Sequence, residues 1–309
     1  MNYTTFEHKP YTYVKLVSDV DDPVQRSGKL FPQQIQAIQP SSTYIAIDNE
    51  DALDYSRNNF DFVVDIKQEI ALKQIYLTKC VLPLLPTINT FNNVLNFTYG
   101  ANAYQIVITN GFYNPQTLCN ELNFQFNRAI ATFGSMNVSY NNSSRNITIQ
   151  DTATTPSGFT LTSGSFLEQG IHVVNFGTNL TANLGNSYTI TSVSLEMMYS
   201  RYYYIRSARL TNNSRLSFID SRYSYEDCCG VVTPAEFFNE EQFQTSQYPG
   251  TTKTFNIDHP IVINCSGNTI RFVDIVVQDE WGHNLGEVLN VVLNNFQYGC
   301  FFLFKAELY

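Results

Sequence analysis

The segment Phe60-Asp61-Phe62-Val63-Val64-Asp65-Ile66 alternates apolar and other side chains, so that four apolar residues lie on one side of an extended chain. A period of two predicts a half-buried β-strand, because successive side chains of a strand point to opposite faces of its sheet. A further strand is expected at 72–82. Pro83 and Pro86 close it, because a proline lacks the N–H group that a central strand donates.

Strand-sized segments return in the second half of the chain, with turn residues such as Ser266-Gly267-Asn268 between several of them. Many short strands with regular turns are typical of a β-sandwich or jelly roll. Together with the early strands they predict an all-β protein built on a single jelly-roll β-sandwich. The later strands are expected at 188–197, 202–210, 216–219, 253–257, 261–265, 269–278, 288–294 and 299–308.

The composition supports an all-β fold. The 309 residues include 32 Asn, 28 Thr and 44 aromatic residues, but only 13 Ala and 8 Lys. Ala and Lys favour helices, whereas Thr and aromatic residues suit a half-buried pleated surface. This balance excludes a helical bundle, a coiled coil and a doubly wound nucleotide-binding fold. Charged residues make up only 15% of the chain, which is typical of proteins whose exterior is covered by neighbours.

The middle of the chain differs from its flanks. Asn114 is a good helix N-cap and Pro115 suits the first helical position, so a helix is expected at about 115–132. Strand and hairpin patterns surround this helix and predict a small inserted lobe over 99–187. The rest divides into an N-terminal arm over 1–42 and a jelly-roll domain formed by 43–98 and 188–309.

Charge and hydropathy exclude several functions. The net charge of −9 disfavours a nucleic-acid coat, which needs basic residues for phosphate contacts, and no sequence-specific nucleic-acid binding is expected. No apolar run is long enough for a membrane span, and no secretory signal is visible at the start. The six cysteines lack metal-site spacing, so reduced thiols in an intracellular compartment are expected.

A search for catalytic chemistry finds little. None of the four histidines forms a metal-binding pair, and no nucleotide-binding or nucleophile motif occurs. Asp258-His259 could begin a dyad, but a turn before Pro260 explains it better. The acidic clusters Asp19/Asp21/Asp22 and Asp48/Glu50/Asp51/Asp54 do not match a calcium loop. No catalytic residue, cofactor or metal site is therefore predicted.

Residues 201–225 have an unusual composition, because they hold five of the ten arginines, interleaved with tyrosines. Such residues can stack bases and hold phosphates, but they are also enriched at protein–protein contacts. In an acidic chain the contact interpretation is favoured. The predicted subunit-interface residues are Arg201, Tyr203, Arg206, Arg209, Arg215, Arg222, Tyr223 and Tyr225.

Several blocks, in this order, resemble the penton (vertex) capsid proteins of virophages and of related polinton-like and adintovirus-like elements. The first is the strand pair and Pro-rich turn over 60–86, followed by 92–97. The second is the turn into the helix at 111–123, and the third is Tyr204-Ile205-Arg206-Ser207. The last is the strand over 273–282, whose acidic end, Asp279 to Gly282, resembles the closing hairpin of a capsid jelly roll.

The resemblance implies a single jelly roll that stands upright in a viral shell and assembles as a ring of five at each vertex. It implies contact with a separate double jelly-roll major capsid protein, a place in the virion, and assembly in a viral factory in the host cytoplasm. The family has no catalytic residues. The chain is also short for a major capsid protein with two jelly rolls.

Two other functions remain open at this point. A host-surface attachment module, similar to a lectin-like sandwich, would use the polar inserted lobe over 99–187. A β-sandwich hydrolase would use Asp258 and His259 or the acidic clusters. The predicted function is structural: a penton that acts by associating with other capsid subunits.

Overall fold

A computed structural model describes residues 42–53, 58–131, 134–183, 188–211, 219–220, 223–224, 227–234, 252–265, 269–290 and 299–308. The N-terminal arm expected over 1–42 lies outside these residues except for Ser42, where the first strand begins. The strands are β1 (Ser42–Asp48), β2 (Asp61–Pro83), β3 (Val94–Tyr99), β4 (Asn102–Val107), β5 (Met136–Asn141), β6 (Asn146–Asp151), β7 (Phe159–Ser163), β8 (Val174–Asn175), β9 (Thr181–Ala182), β10 (Thr189–Thr191), β11 (Ser194–Leu195), β12 (Tyr203–Arg206), β13 (Ile219–Asp220), β14 (Tyr223–Ser224), β15 (Cys228–Val232), β16 (Thr252–Asn256), β17 (Ile263–Asn264), β18 (Thr269–Asp279) and β19 (Phe301–Leu308). The helices are α1 (Pro115–Ala129), α2 (Ser165–Glu168), α3 (Ala208–Thr211) and α4 (Leu285–Asn290), with a 3₁₀ turn at Asn49–Asp51.

An eight-stranded antiparallel arrangement forms the sandwich, in the order β1-β19-β2-β18-β12-β15, with β16 and β17 also paired to β2. The long strand β2 belongs to both layers. Its first half pairs with β18, and its second half pairs with β19 on one side and with β16 and β17 on the other. The predicted fold class, an all-β jelly roll with an inserted lobe, is confirmed.

A bend in β2 folds the two layers onto each other. Lys67 has φ of 60°, in the left-handed region, and the β2–β18 register shifts between Ile270 and Phe272 opposite this point. Such a bulge bends a strand and lets it turn a corner. Phe62 and Phe302 consequently meet in the core with ring centroids 6.4 Å apart, although Phe302 pairs with Cys80 near the far end of β2.

The core of the sandwich follows the alternation that the sequence predicts. The four residues on the inward side of the opening segment, Phe60, Phe62, Val64 and Ile66, are at most 3% exposed. They belong to one hydrophobic cluster that runs from Ile45 to Ala306. The strands expected at 60–66 and 72–82 are therefore present, joined into the single strand β2.

The inserted lobe has a separate hydrophobic cluster, with members from Ile88 to Met197. Its sheets have the orders β4-β3-β7-β9 and β10-β6-β5, and α1 packs against β5. The two clusters divide the chain between Leu85 and Ile88 and again between Met197 and Tyr199. The predicted insertion at 99–187 lies within this range, and its limits as an independent unit stay a prediction.

Helix α1 begins where the sequence places it. The Asn114 side chain accepts a hydrogen bond from Thr117 N (2.8 Å), and Thr117 Oγ1 accepts one from Asn114 N (3.0 Å), which is a reciprocal capping box. The helix ends at Ala129, slightly before the predicted residue 132. It buries Leu118, Cys119, Leu122 and Phe126 against the lobe sheets.

The strand predicted at 288–294 is wrong over its described residues, because Leu285–Asn290 form α4. Asn284 starts this helix: its carbonyl accepts from Val288 N (3.2 Å) and its side chain accepts from Gly286 N (2.8 Å). A short apolar run fits a buried strand or a buried helix equally well, so periodicity could not separate them.

All six cysteines are buried free thiols. Burial raises the pKa of Cys80 and of Cys119 to about 12, and that of Cys228 to about 11. Cys228 and Cys229 are adjacent but unbridged, as the sequence predicts. These thiols are therefore protonated at neutral pH and pack as small apolar side chains.

Candidate assembly surface

The start of the Arg–Tyr segment (residues 201–225) forms β12, where alternation divides its tyrosines between the two faces of the sheet. Tyr203 is 1% exposed, and its hydroxyl oxygen accepts a hydrogen bond from Leu85 N at 3.0 Å. Burial raises its pKa above the ordinary value. Tyr202 and Tyr204 point outward, with ring centroids 6.4 Å apart. Tyr203 thus stabilises the core, and its neighbours form the surface.

The described arginines of the segment contact groups within the chain. Arg206 Nη1 lies 2.7 Å from Asp227 Oδ1. Arg201 forms two hydrogen bonds with the Glu196 carboxylate, which raise its pKa. Arg209 is exposed, with its guanidinium 5.6 Å from the ring centroid of Phe272.

The other predicted interface residues are only partly placed. Tyr223 lies on β14, which pairs with β13. Arg215, Arg222 and Tyr225 lie outside the described residues. The structure therefore locates half of the predicted set on or beside β12, and the whole set stays a prediction as an interface.

Five apolar side chains lie on the outer surface around β12, interspersed with Arg206, Asp274 and Gln278, and we call this apolar set the β12 face. Val231 of β15 and Gln278 of β18 lie directly opposite Tyr204 on either side. Val231 is 37% exposed and Tyr202 is 41% exposed. The β12 face consists of Tyr202, Tyr204, Val231, Val276 and Val63, which are exposed or half-buried between buried neighbours on their strands.

A second outward surface covers the other layer, and we call it the β19 face. Leu303 pairs with Ala46 of β1, and Phe301 pairs with Val81 of β2. Phe301 and Leu303 alternate with the fully buried Phe302 and Phe304, so they point away from the core. The β19 face consists of Tyr44, Ala46, Val81, Phe301 and Leu303.

The β19 face is not among the predicted interface residues. The signal was present in the run Phe301-Phe302-Leu303-Phe304, because a strand that is solvated on one side normally alternates apolar and polar residues. A continuous apolar strand indicates burial on both sides. In the structure only alternate residues of this run face the core.

A cation–aromatic cluster lies near the bend of β2. The guanidinium groups of Arg209 and Arg271 lie 5.6 and 5.3 Å from the ring centroid of Phe272. Arg271 also donates two hydrogen bonds to the Asp65 carboxylate, at 3.1 and 3.2 Å. These bonds, with one from Lys67 N, hold the pKa of Asp65 below its ordinary value.

Polar contacts join the lobe to the closing hairpin of the sandwich. His172 Nε2 of the lobe lies 2.6 Å from Glu280 Oε1, and its Nδ1 lies 4.0 Å from Glu196 Oε2. The His172 and Trp281 rings stack with centroids 6.0 Å apart. Both members of the His172–Glu280 pair are mostly buried, with side chains 15% and 12% exposed.

A second hydrogen-bond network lies on the inner side of the same hairpin. Asp279 is 1% exposed, and its carboxylate accepts hydrogen bonds from Trp281 N (2.9 Å) and His283 N (2.8 Å). Tyr199 Oη lies 2.8 Å from His283 Nδ1. Burial, together with the Asp279 charge, raises the pKa of Tyr199. The acidic residue of the predicted closing hairpin thus has a structural role.

The described residues among the catalytic and calcium-site candidates do not come together in a site. Asp258 and His259 are both exposed in the turn before Pro260. Asp48 Oδ1 accepts a hydrogen bond from Glu50 N and so caps the 3₁₀ turn; Asp19, Asp21, Asp22 and Asp54 lie outside the described residues. Within the described ranges, no three His, Cys, Asp or Glu side chains could hold a metal ion together.

None of the described helices combines the length and the apolar composition that a membrane span requires.

Comparison with known proteins gives structural likeness alone. No family model matches the chain, and no curated protein sequence matches it. The fold is similar to the mavirus penton protein, with a TM-score of 0.45 and 9% identity over 86% of this chain and 99% of that chain. It is also similar to a chain of the Sputnik virophage structure, with a TM-score of 0.41 and 11% identity over 87% of this chain and 98% of that chain.

One of these structures is a penton protein and the other comes from a virophage. At TM-scores this low, neither likeness establishes a function. The functional argument therefore depends on the residues of this chain.

Proposed function

We propose that the protein is a structural capsid subunit, a penton that forms pentamers at the vertices of an icosahedral shell. One observation carries the proposal: the sandwich has apolar side chains on the outer surfaces of both layers. Sheets that face water on one side are expected to be polar there. Large exposed apolar patches on a globular protein mark interaction sites.

The two faces support a ring of copies. A head-to-tail interface joins two different patches, and it closes into a ring when the rotation between neighbours allows. The β12 face is rich in tyrosine and valine, whereas the β19 face centres on Phe301 and Leu303. Each copy would therefore present one face to each of its two neighbours.

The sequence resemblance also implies a binding partner and a location for this subunit. The penton would contact a double jelly-roll major capsid protein, reside in the virion and assemble in the host cytoplasm. The role would be non-enzymatic. The low charge suits a subunit that is enclosed by neighbours after assembly.

Electron micrographs and native mass spectra of the purified protein test the proposal. Pentagonal rings, with a mass five times that of the chain, are the expected result. Co-expression with a major capsid protein should place these rings at shell vertices. A strict monomer at all concentrations that also fails to join the shell would contradict the proposal.

A second function, attachment to a host surface, gains support from the lobe. The lobe has its own hydrophobic core. Its outer sheet carries a polar, uncharged ladder in which Gln105 donates to Asn96 (2.9 Å) and Asn96 donates to Ser163 (3.0 Å). Binding of the protein to a glycan array, lost when the lobe is removed from assembled rings, would favour attachment as an additional role.

A further inference from the structure

Strand β4 is the outermost strand of the lobe sheet β4-β3-β7-β9. It joins β3 through the two-residue turn Gly100-Ala101, and Gly100 has φ of +58°. A two-residue hairpin turn with glycine first closes on a hydrogen-bonded pair. That pair is Tyr99 and Asn102, which sets the hydrogen-bonding direction of every later residue on β4.

The register separates the inward and outward backbone groups of β4. Asn102, Tyr104 and Ile106 exchange hydrogen bonds with β3, and this series continues with Ile108 N, which donates to Asn93 O at 2.8 Å. In an antiparallel pair the intervening residues direct their N–H and C=O groups away from the partner strand. The outward residues are Ala103, Gln105 and Val107.

The edge of β4 ends at the next outward amide, which is that of Thr109. Thr109 N donates to Glu121 Oε1 of α1 at 3.0 Å, and Thr109 Oγ1 donates to the same oxygen. Burial alone would raise the pKa of Glu121, but these bonds, with that from Gln125, lower it, so the carboxylate remains charged. Among the described residues, the unpaired edge therefore spans Ala103 to Val107 and ends where Thr109 binds Glu121 of α1.

Nothing on β4 protects this edge. Ala103, Gln105 and Val107 are all exposed, and the Val107 side chain is 50% exposed. Natural edge strands are usually blocked by lysine, proline, bulges or a covering element. Strand β4 has no charge and no proline, and its ladder with β3 has no register shift. Among the described residues, no strand lies on its outer side.

We propose that β4 pairs with the β4 strand of a second copy of this chain, in an antiparallel ladder centred on Gln105. This register sets Gln105 opposite Gln105, and Ala103 opposite Val107 in both directions. Each of these pairs can exchange both backbone hydrogen bonds. The contact adds a strand to an existing sheet, as in peptide recognition by strand addition.

The chemistry of β4 favours a second copy as the occupant. The edge is uncharged, so two copies meet without the like-charge repulsion that normally prevents edge association. Its pattern also complements itself, because the small Ala103 faces the larger Val107. Strand β4 belongs to the lobe, whose hydrophobic core is separate from that of the sandwich, so this contact uses residues other than those of the β12 and β19 faces.

Amide hydrogen exchange of the full-length protein at increasing concentration tests the pairing directly. The amides of Ala103, Gln105 and Val107 should slow by about tenfold or more as copies associate. The inward amides of Tyr104 and Ile106 are protected already and serve as internal standards. Unchanged exchange of the three outward amides at all concentrations would overturn the proposal.

A variant pair adds a second measurement. Gln105→Pro removes a single backbone donor, the outward N–H of residue 105, and an edge strand tolerates this loss. Gln105→Ala keeps that N–H and, like proline, loses the side-chain bond to Asn96. Sedimentation should show weaker association for Gln105→Pro alone. Equal association of both variants and wild type would contradict pairing through β4.

Failure of this proposal can be distinguished from failure of the proposed function. If pentamers form through the sandwich faces, Gln105→Pro should leave the mass of a single ring unchanged and remove only association between rings. Protection of the outward amides that requires another virion protein would show that the occupant is not a second copy. Protection without any ring would support the β4 contact and contradict the penton function.

Discussion

His172 and Glu280 join the lobe to the sandwich, with Nε2 and Oε1 2.6 Å apart. The two units have separate hydrophobic clusters, and this contact lies between them. Glu280 belongs to the hairpin that the sequence blocks single out, and Arg201 N also approaches its carboxylate (3.4 Å). The closing hairpin of the jelly roll therefore also holds the lobe.

Replacement of His172 tests this role. His172→Ala should destabilise lobe docking by about 1–3 kcal/mol, because it leaves a mostly buried carboxylate without its partner. Faster protease cleavage near residue 198 is the expected readout, with both cores still folded. His259→Ala removes an exposed histidine and should change nothing. Equal cleavage of the two variants would show that His172 does not hold the lobe.

A charge on the β12 face should prevent assembly. Val231→Glu places a carboxylate beside Tyr204, where burial against a neighbour would be unfavourable. The monomer should keep its stability to within about 0.5 kcal/mol, because the side chain is exposed. Val193→Glu is the matched control, since Val193 is 69% exposed on the lobe. Loss of rings with both variants, or with neither, would contradict an interface at the β12 face.

A head-to-tail ring also predicts how two variants with different disabled faces behave when they are mixed. Leu303→Glu disables the β19 face and Val231→Glu disables the β12 face, so each variant alone should remain monomeric. A mixture should form a dimer, because each variant supplies the face that the other lacks, and the dimer cannot grow. Native mass spectrometry with one variant isotope-labelled measures this. Homodimers, or no dimers, would exclude pairing of one face with the other.

The sequence predicts the parts of this fold that depend on local patterns. The alternation over 60–66 and the Asn114 cap both appear as expected, because each depends on side chains within a few residues. The continuity of β2 through its bend was not predictable, since it depends on Lys67 at positive φ and on pairing with β18.

The candidate site was predicted less well, for a similar reason. The Arg–Tyr composition locates β12 but does not say which tyrosine faces outward. Strand register decides that, and register is set by partners that are distant in sequence. No local pattern pairs His172 with Glu280, because only the docking of the lobe brings these two residues together.

The pairing of Asp65 with Arg271 predicts a dependence of stability on pH. The hydrogen bond from Arg271 lowers the pKa of Asp65 in the folded protein. Its contribution is therefore present above the unfolded pKa, roughly 4, and is lost as the pH falls through the lower folded value. Asp65→Asn should reduce Tm by about 1–3 °C at pH 7, and this difference should shrink in acid.

The control for this prediction is Asp258→Asn, which changes an exposed carboxylate in a turn. Its Tm should follow that of the wild type across the pH range. A difference between Asp65→Asn and wild type that stays constant down to acidic pH would show that the charge of Asp65 is not responsible.

Replacement of Tyr203 should lower stability without affecting assembly, because Tyr203 lies between two surface tyrosines but faces the core. Tyr203→Phe removes the oxygen that accepts from Leu85 N and leaves that N–H buried, at a cost of about 1–2 kcal/mol. Tyr202→Phe is the matched control at an exposed position and should leave the unfolding free energy unchanged. Chemical denaturation measures both variants. Ring formation by Tyr203→Phe should equal that of the wild type, and a loss of rings without loss of stability would assign Tyr203 to the interface instead.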